Sequence, residues 1–580
     1  MHVIKNYTSF LTGVFLFFIF ETHAQTAFID ITEQAGIQHQ FEVFEGFLGG
    51  GACVLDVNND GFDDIFLTGG KADDILYLNN KNGTFTNIYE QSGLTGSKNF
   101  LTQGAVAADV NRDGWVDLYI TTITSKTNPK VIPRAPNLLY LNNGNNTFRD
   151  ATKEFHLDIN SFSTGASFGD FNADGYPDLY VGNYFTEYPG DLSTVNDAMI
   201  VGANQITEGY LFLNEKGKSF KNVYKDYGLD HRGFGFGGLF TDFDNDGDQD
   251  LFINHDFGYK RTPDLLYENK YPWASFKEIG KKMGMDLKIN SMTSAVGDYN
   301  NDGLMDYFIT NIRYNKFMVN QGIGKPFKEM SRDLGLGYII ISWGANFADF
   351  DHDGDVDLYV SNGDLNPNCV PMGNHYFENI GGKFEEKGRI KGVGDFGVGR
   401  GSVVFDLEND GDLDILVVNQ KPILTYPVPS TTRLFRNDSS QGNWVKIMLK
   451  GLDAETHGLG SKVEIVVDGK HQIREIDGGG SSHLSQNATY AHFGIGNASK
   501  IDEIIIHWTG GNTQVLTSQP INQVITITEE KSFRLNPFVK WGLIALLALV
   551  GIFYLMKRVR KVESKRLMKL YDYFFSKNLP

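Results

Sequence analysis

Along this 580-residue chain, apolar residues come in short blocks and never in long amphipathic stretches until the far C-terminal end. Blocks such as DIFLTGG (64–70), DLYITTI (117–123), DLFINHD (250–256) and DYFITNI (306–312) are apolar, β-branched and aromatic, and they are bounded by polar or glycine-rich turns. They are too short for helices, so they predict buried strands. Each such block leads to a second one that ends in asparagine: ILYLNN, LLYLNN, YLFLN, LLYEN, FMVN, YFEN and RLFRND. Six of these are followed by a stretch led by phenylalanine: TFTNIYEQSGL, TFRDATKEFHL, SFKNVYKDYGL, SFKEIGKKMGM, PFKEMSRDLGL and KFEEKGRIKGV. The pattern predicts an all-β protein built from repeats of about four strands.

The polar positions have a repeat of their own. Acidic nonapeptides begin at Asp56 (DVNNDGFDD), Asp109 (DVNRDGWVD), Asp170 (DFNADGYPD), Asp242 (DFDNDGDQD), Asp298 (DYNNDGLMD), Asp349 (DFDHDGDVD) and Asp406 (DLENDGDLD). Carboxylates this close repel and raise one another's pKa. Every copy has an oxygen-bearing side chain at positions 1, 3, 5 and 9 and glycine at 6. That is the ligand spacing of a calcium loop, with the glycine permitting the sharp turn and the cation removing the repulsion. An EF-hand is excluded, because position 12 is Leu67, Ile120, Val181, Ile253, Ile309, Val360 or Val417 where an EF-hand needs glutamate. Six copies have a glycine five residues before the first aspartate (Gly51, Gly104, Gly165, Gly237, Gly344 and Gly401), and the fifth has Thr293. Each loop therefore joins two strands, and position 9 supplies the last side-chain ligand.

The first aspartates are spaced by 53, 61, 72, 56, 51 and 57 residues, a period that with four strands per unit marks a β-propeller. The seventh unit lacks its phenylalanine-led strand, and AFIDITEQAGI at 27–37 is the missing copy. The expected fold is a seven-bladed calcium-loop propeller closed by the N-terminal strand, with no open sheet edge. The repeats resemble FG-GAP/VCBS repeats, the calcium-loop blades also found in integrin α-subunit propellers. Position by position, the resemblance implies side-chain ligands at 1, 3, 5 and 9 and the backbone carbonyl at 7. The implied ligands are Asp56, Asn58, Asp60, Phe62 and Asp64; Asp109, Asn111, Asp113, Trp115 and Asp117; Asp170, Asn172, Asp174, Tyr176 and Asp178; and Asp242, Asp244, Asp246, Asp248 and Asp250. The remaining three sets are Asp298, Asn300, Asp302, Leu304 and Asp306; Asp349, Asp351, Asp353, Asp355 and Asp357; and Asp406, Glu408, Asp410, Asp412 and Asp414. Glu408 departs from the usual Asp or Asn at position 3. Up to seven Ca²⁺ are implied.

Residues 442–530 break the period and read as about six short strands in a small β-sandwich-like unit. NWVKIMLKG, HGLGSKVEIVVDG, REIDGGGSSHLSQN, HFGIG and IDEIIIHWTGG resemble the ASPIC/UnbV domain, and the combination is like that of the cartilage acidic protein family and related bacterial exported proteins. The resemblance implies architecture and no established activity. Within DGGGSSHLSQN, Asp477, Ser481, Ser482, His483 and Asn487 gather as in a hydrolase, but no nucleophile elbow surrounds the serines. A polar turn contacting the propeller or a glycan is the expected role.

Both ends read as membrane-related. Residues 1–24 have signal-peptide anatomy, 538–556 form an apolar run, and 557–580 begin with a cluster of Lys and Arg. This predicts a single-pass protein with an exported ectodomain (25–441 and 442–530), periplasmic or extracellular, and a cytoplasmic C-terminus. The formal charge of −19 argues against nucleic acid, and seven Ca²⁺ would absorb most of it. Two cysteines make no disulfide framework; Cys53 reads as a packed thiol, and pairing with Cys369 is left open.

Strand alternation sends all calcium loops out of one propeller face and the long insertions at 124–137, 184–209 and 362–375 out of the other. Tyr184, Phe185, Tyr188 and Asp191 are candidates for a ligand rim on that second face. The function expected is a calcium-binding, membrane-anchored adhesion module recognising protein or glycan. The alternative is an envelope hydrolase or lyase acting on polysaccharide or ester, for which Glu187, Asp191 and Asp197 offer acids without a defining spacing.

Overall fold

The computed structural model describes residues 28–43, 49–126, 132–187, 197–365, 370–438, 442–531 and 537–575. Each repeat folds as an antiparallel sheet whose innermost strand precedes its acidic loop. In the first, Ala52–Leu55 pairs with Asp64–Leu67, which pairs with Ile75–Asn79 and then Phe85–Asn87. The register Leu55↔Asp64 puts the nonapeptide at the turn between the first two strands, so position 9 opens the second strand. The last sheet joins Val398–Phe405, Asp414–Gln420 and Arg433–Asn437 to the N-terminal strand Phe28–Asp30, with Phe28↔Asn437 and Asp30↔Phe435. Two sheets gain a fifth strand, Ala135–Pro136 beside Asn160–Gly169 and Ile312–Tyr314 beside Ile339–Ala348, both from loops on the face away from the acidic turns.

The outer strands are only two or three residues long because their third residue turns the chain. Asp30, Asn87, Asp150, Asn222, Glu278, Glu329 and Glu386 each accept the backbone N–H two residues on. The displaced N-terminal copy thus behaves like the other six. Buried apolar clusters lie between every neighbouring pair of sheets and close the circle. The last of these packs Ile31 and Ala35 with Ala52 and Val54 of the first sheet and Val403 and Phe405 of the seventh.

The second domain has two sheets. One holds Asn443–Lys450, Ala491–Gly496 and Val524–Thr528, the other Lys462–Val467, Lys470–Glu475, Ile501–Trp508 and Asn512–Gln519. Its core is continuous with that between the second and third blades, where Val106 and Phe168 share a cluster with Val445, Val463 and Ile504.

The apolar run at 538–556 lies within the helix Pro537–Phe575, and the side chains at 538, 540–542, 544 and 545 fall outside the described residues. Among the described residues no helix is long and apolar enough to cross a membrane. The leader region 1–24 and Cys369 are likewise outside the described residues, and Cys53 is a buried free thiol.

Candidate cation sites between the two domains

The acidic loops share one backbone solution. Position 4 (Asn59, Arg112, Ala173, Asn245, Asn301, His352 and Asn409) is left-handed in all seven, with φ between 52° and 60°. Glycine 6 follows with φ between 82° and 98°, which a side chain would oppose. The first aspartate then accepts the N–H of glycine 6, as in Asp56 from Gly61 at 2.8 Å and Asp298 from Gly303 at 2.7 Å. Position 5 accepts the N–H of position 7, from Phe62 at 3.0 Å to Asp355 at 2.8 Å. These bonds wind the odd-numbered carboxylates toward one centre. In two loops three carboxylates gather closely: oxygens of Asp242, Asp244 and Asp250, and of Asp349, Asp351 and Asp353, lie within 4.8 Å of one another.

The position-9 aspartates have a second task. Each is buried and accepts the backbone N–H of the asparagine that ends the third strand, at 2.7 Å for Asn79 to Asp64 and 2.9 Å for Asn142 to Asp117. The same asparagine donates its Nδ2 to the position-2 carbonyl of the preceding blade: Asn142 to Val57, Asn214 to Val110, Asn269 to Phe171, Asn320 to Phe243, Asn379 to Tyr299 and Asn437 to Phe350. Asn79 to Leu407 at 3.0 Å completes the circle. The asparagine was visible as a repeat in the sequence, but its partner lies about 77 to 104 residues upstream, or across the closure, so its role was not.

Burial without a counter-ion pushes these carboxyls up: Asp64 to about 8, Asp170 and Asp349 to about 7, and Asp248 to about 8, where the neighbouring aspartates add to burial. Oδ1 of Asp244, Asp248, Asp349 and Asp351 is buried with no hydrogen-bond partner. A hard divalent cation fits this donor set, since it supplies the missing partner to each orphaned oxygen and offsets the burial cost. Glu408 differs in direction as well as length, with its carboxylate 3.6 Å from Arg436.

The second domain sits over this same face. Lys446 Nζ is 2.9 Å from Asp406 Oδ2 and Lys462 Nζ is 3.1 Å from Asp242 Oδ2, all buried. The N–H of Gly494 donates to Asp349 Oδ2 at 3.0 Å, and Arg112 donates to the Leu452 carbonyl at 2.8 Å. His352 and His492 both reach the Gly411 carbonyl, at 2.9 and 2.8 Å. A cavity of about 370 Å³ remains between Asp242, Asp246 and Asp298 on one side and Lys462, His471 and His507 on the other.

From the second domain, residues 478–487 enter the central channel. Gln486 forms a parallel bridge with Cys53 and holds both the N–H and the carbonyl of Ala107 through its side chain, at 2.6 and 3.0 Å. Phe168 donates to the Gly478 carbonyl at 2.9 Å and Val404 to Asn487 at 3.0 Å. Five of the six glycines that stand five residues before a loop, all but Gly237, now have a reason. A Cβ on Gly51 would stand 2.1 Å from the Leu484 carbonyl oxygen, one on Gly401 2.4 Å from Ser485 Oγ, and one on Gly344 2.8 Å from Ser482 Oγ. The exception, Thr293, uses its hydroxyl to donate to the Gly480 carbonyl at 3.1 Å. Ser482 and His483 are fully buried, with His483 against Trp343 and Phe236. The segment is a plug, and it buries Ser482 and His483 while Asp477, Ser481 and Asn487 line a small cavity beside it.

Two of the four residues expected on a rim are buried. Tyr184 and Phe185 are 7% and 2% exposed and pack with Phe234 and Phe236 under the insertion face, the Tyr184 hydroxyl donating to Asp256 at 2.5 Å. Their apolar rings are worth more in that cluster than in water. Tyr188 and Asp191 lie outside the described residues, as does the side chain of Asp197, whereas Glu187 is exposed.

Family models match this geometry in two parts: an FG-GAP-like repeat at residues 56–120, 131–181 and 298–360, and ASPIC and UnbV at residues 451–533. The chain carries FG-GAP-like repeats and an ASPIC and UnbV domain over those residues. It is similar to cartilage acidic protein 1 of Xenopus tropicalis, 24% identical over 507 residues that cover 82% of this chain and 73% of that one. The human cartilage acidic protein 1 is 25% identical over 334 residues, 56% of this chain and 41% of the human one. Among solved structures, an Agrocybe aegerita lectin described as recognising non-reducing terminal N-acetylglucosamine covers 59% of this chain and 80% of its own at 16% identity, with a TM-score of 0.35, too distant to carry an inference.

Proposed function

We propose that this FG-GAP and ASPIC/UnbV chain is a calcium-stabilised binding module that offers a protein or glycan ligand the propeller face opposite the acidic loops. The observation that carries the reading is the seating of the second domain, which covers the acidic face and fills the channel. On the other face, where the insertions begin, Val370, Phe396, Ile423 and Leu424 are exposed among the described residues. The calcium part is supported by the orphaned carboxylate oxygens and by seven loops of one backbone form. Binding through loops on a rigid frame follows the general division of labour between scaffold and surface.

The test is a screen of the full chain against immobilised glycans and envelope proteins, with Ca²⁺ and with EGTA. Binding is expected in Ca²⁺ and is expected to fall when residues 188–196 are deleted or Phe396 and Leu424 are changed to Ser. Binding that ignores all of these changes moves the ligand site elsewhere. Membrane attachment at 538–556 belongs to the same proposal and rests on the apolar run with its flanking Lys557, Arg558 and Arg560. Carbonate-washed membranes that retain the chain support it, and release into the wash removes it.

A further inference from the structure

The seven loops are unequally charged. Over their ligand positions, those at Asp56, Asp109, Asp170 and Asp298 carry three carboxylates (the first adds Asp63), and those at Asp242, Asp349 and Asp406 carry five. One divalent ion leaves a net charge of about −1 on a three-carboxylate loop and about −3 on a five-carboxylate loop. The cations of the second domain fall on the richer loops. Lys462 enters the Asp242 loop, 3.1 Å from Asp242 Oδ2, and also donates to the Asp242 carbonyl at 2.6 Å and to Asn245. Lys446 enters the Asp406 loop, 2.9 Å from Asp406 Oδ2, and also reaches Asn409. It lies beside Asp63 too, the extra carboxylate of the first loop. The charge of Arg474 is felt by Asp349 and Asp355 of the remaining five-carboxylate loop, and by Asp298 of the fifth, without a direct ion pair among those described. No loop with three carboxylates alone receives a lysine of the second domain among the described ion pairs.

We propose that Lys446 and Lys462 are built-in counter-cations of the five-carboxylate loops: they match charge that a single divalent ion leaves over, and they keep the second domain seated when that ion is absent. The inference rests on the reading of the loops as calcium sites. An ammonium and a metal ion that share one carboxylate cluster partly substitute for each other, because each reduces the negative potential the other feels. Removing the ammonium therefore makes the loop, and the closed interface above it, more dependent on calcium.

The experiment melts the full chain in Ca²⁺ and in EGTA as wild type, as Lys446→Met/Lys462→Met and as Lys446→Arg/Lys462→Arg, with limited proteolysis between residues 438 and 442 reporting domain separation. In the Met variant the gap between the two melting temperatures is expected to widen by roughly 5 °C or more, with the inter-domain segment cleaved faster in EGTA only. The Arg variant is expected to keep the wild-type gap. An equal drop in both conditions reduces the lysines to packing and overturns the proposal, and so does a narrower gap. A wild type with no gap at all overturns the calcium reading first and this inference with it. If the double variant does not fold, the single variants carry the same comparison.

Discussion

The asparagine at the end of each third strand shows how one side chain can serve two blades. Its N–H holds the position-9 aspartate of its own loop, and its amide reaches the previous loop's backbone. Replacing Asn142 by Ala leaves the Val57 and Val116 carbonyls unpaired in a buried site, which costs about 1–3 kcal/mol. Chemical denaturation of Asn142→Ala in Ca²⁺ is expected to show that loss without a change in ligand binding. The acidic repeat and its glycine were legible residue by residue because a nonapeptide is local. The double use of position 9 was not, because the partners are brought in from other strands.

At the scale of elements, the N-terminal strand is the one piece out of sequence order. Phe28 is 2% exposed and meets the ring of Phe350 at 5.6 Å and that of Tyr376 at 5.9 Å, both from the neighbouring blade. Phe28→Ala is expected to destabilise by about 3–5 kcal/mol and to expose the edge Arg433–Asn437. Concentration-dependent light scattering alongside thermal melting checks both effects. The strand's place could be inferred from a count of repeats, since six internal copies and one at the start make seven. The plug could not, because DGGGSSHLSQN has no pattern of its own, and only the channel supplies partners such as Cys53 and Ala107 for Gln486 and Phe168 for Gly478.

For the whole molecule, the burial of so many carboxylates sets the response to pH. In EGTA, groups such as Asp64, Asp170 and Asp248 hold their protons up to about 8, about 7 and about 8, above the ordinary carboxylate value near 4. The folded state then binds more protons than the unfolded state between about pH 4 and 8, so its stability falls as pH rises through that window. The chelated chain is expected to melt higher at pH 5.5 than at pH 8, and on the proposed calcium reading Ca²⁺ is expected to reverse that order by binding the ionised loops. A melting temperature in EGTA that does not depend on pH would contradict the burial picture. The sequence alone determined the strand repeats, the acidic turns with their glycines and the join to a second domain, since each is written in short-range spacing and turn chemistry. Only the tertiary structure decided that the second domain sits on the acidic face, that Lys446 and Lys462 pair with Asp406 and Asp242, that the glycine-rich segment fills the channel, and that Tyr184 and Phe185 turn inward. Those outcomes depend on which surfaces meet, and complementary surfaces on two domains leave no periodic trace in either one.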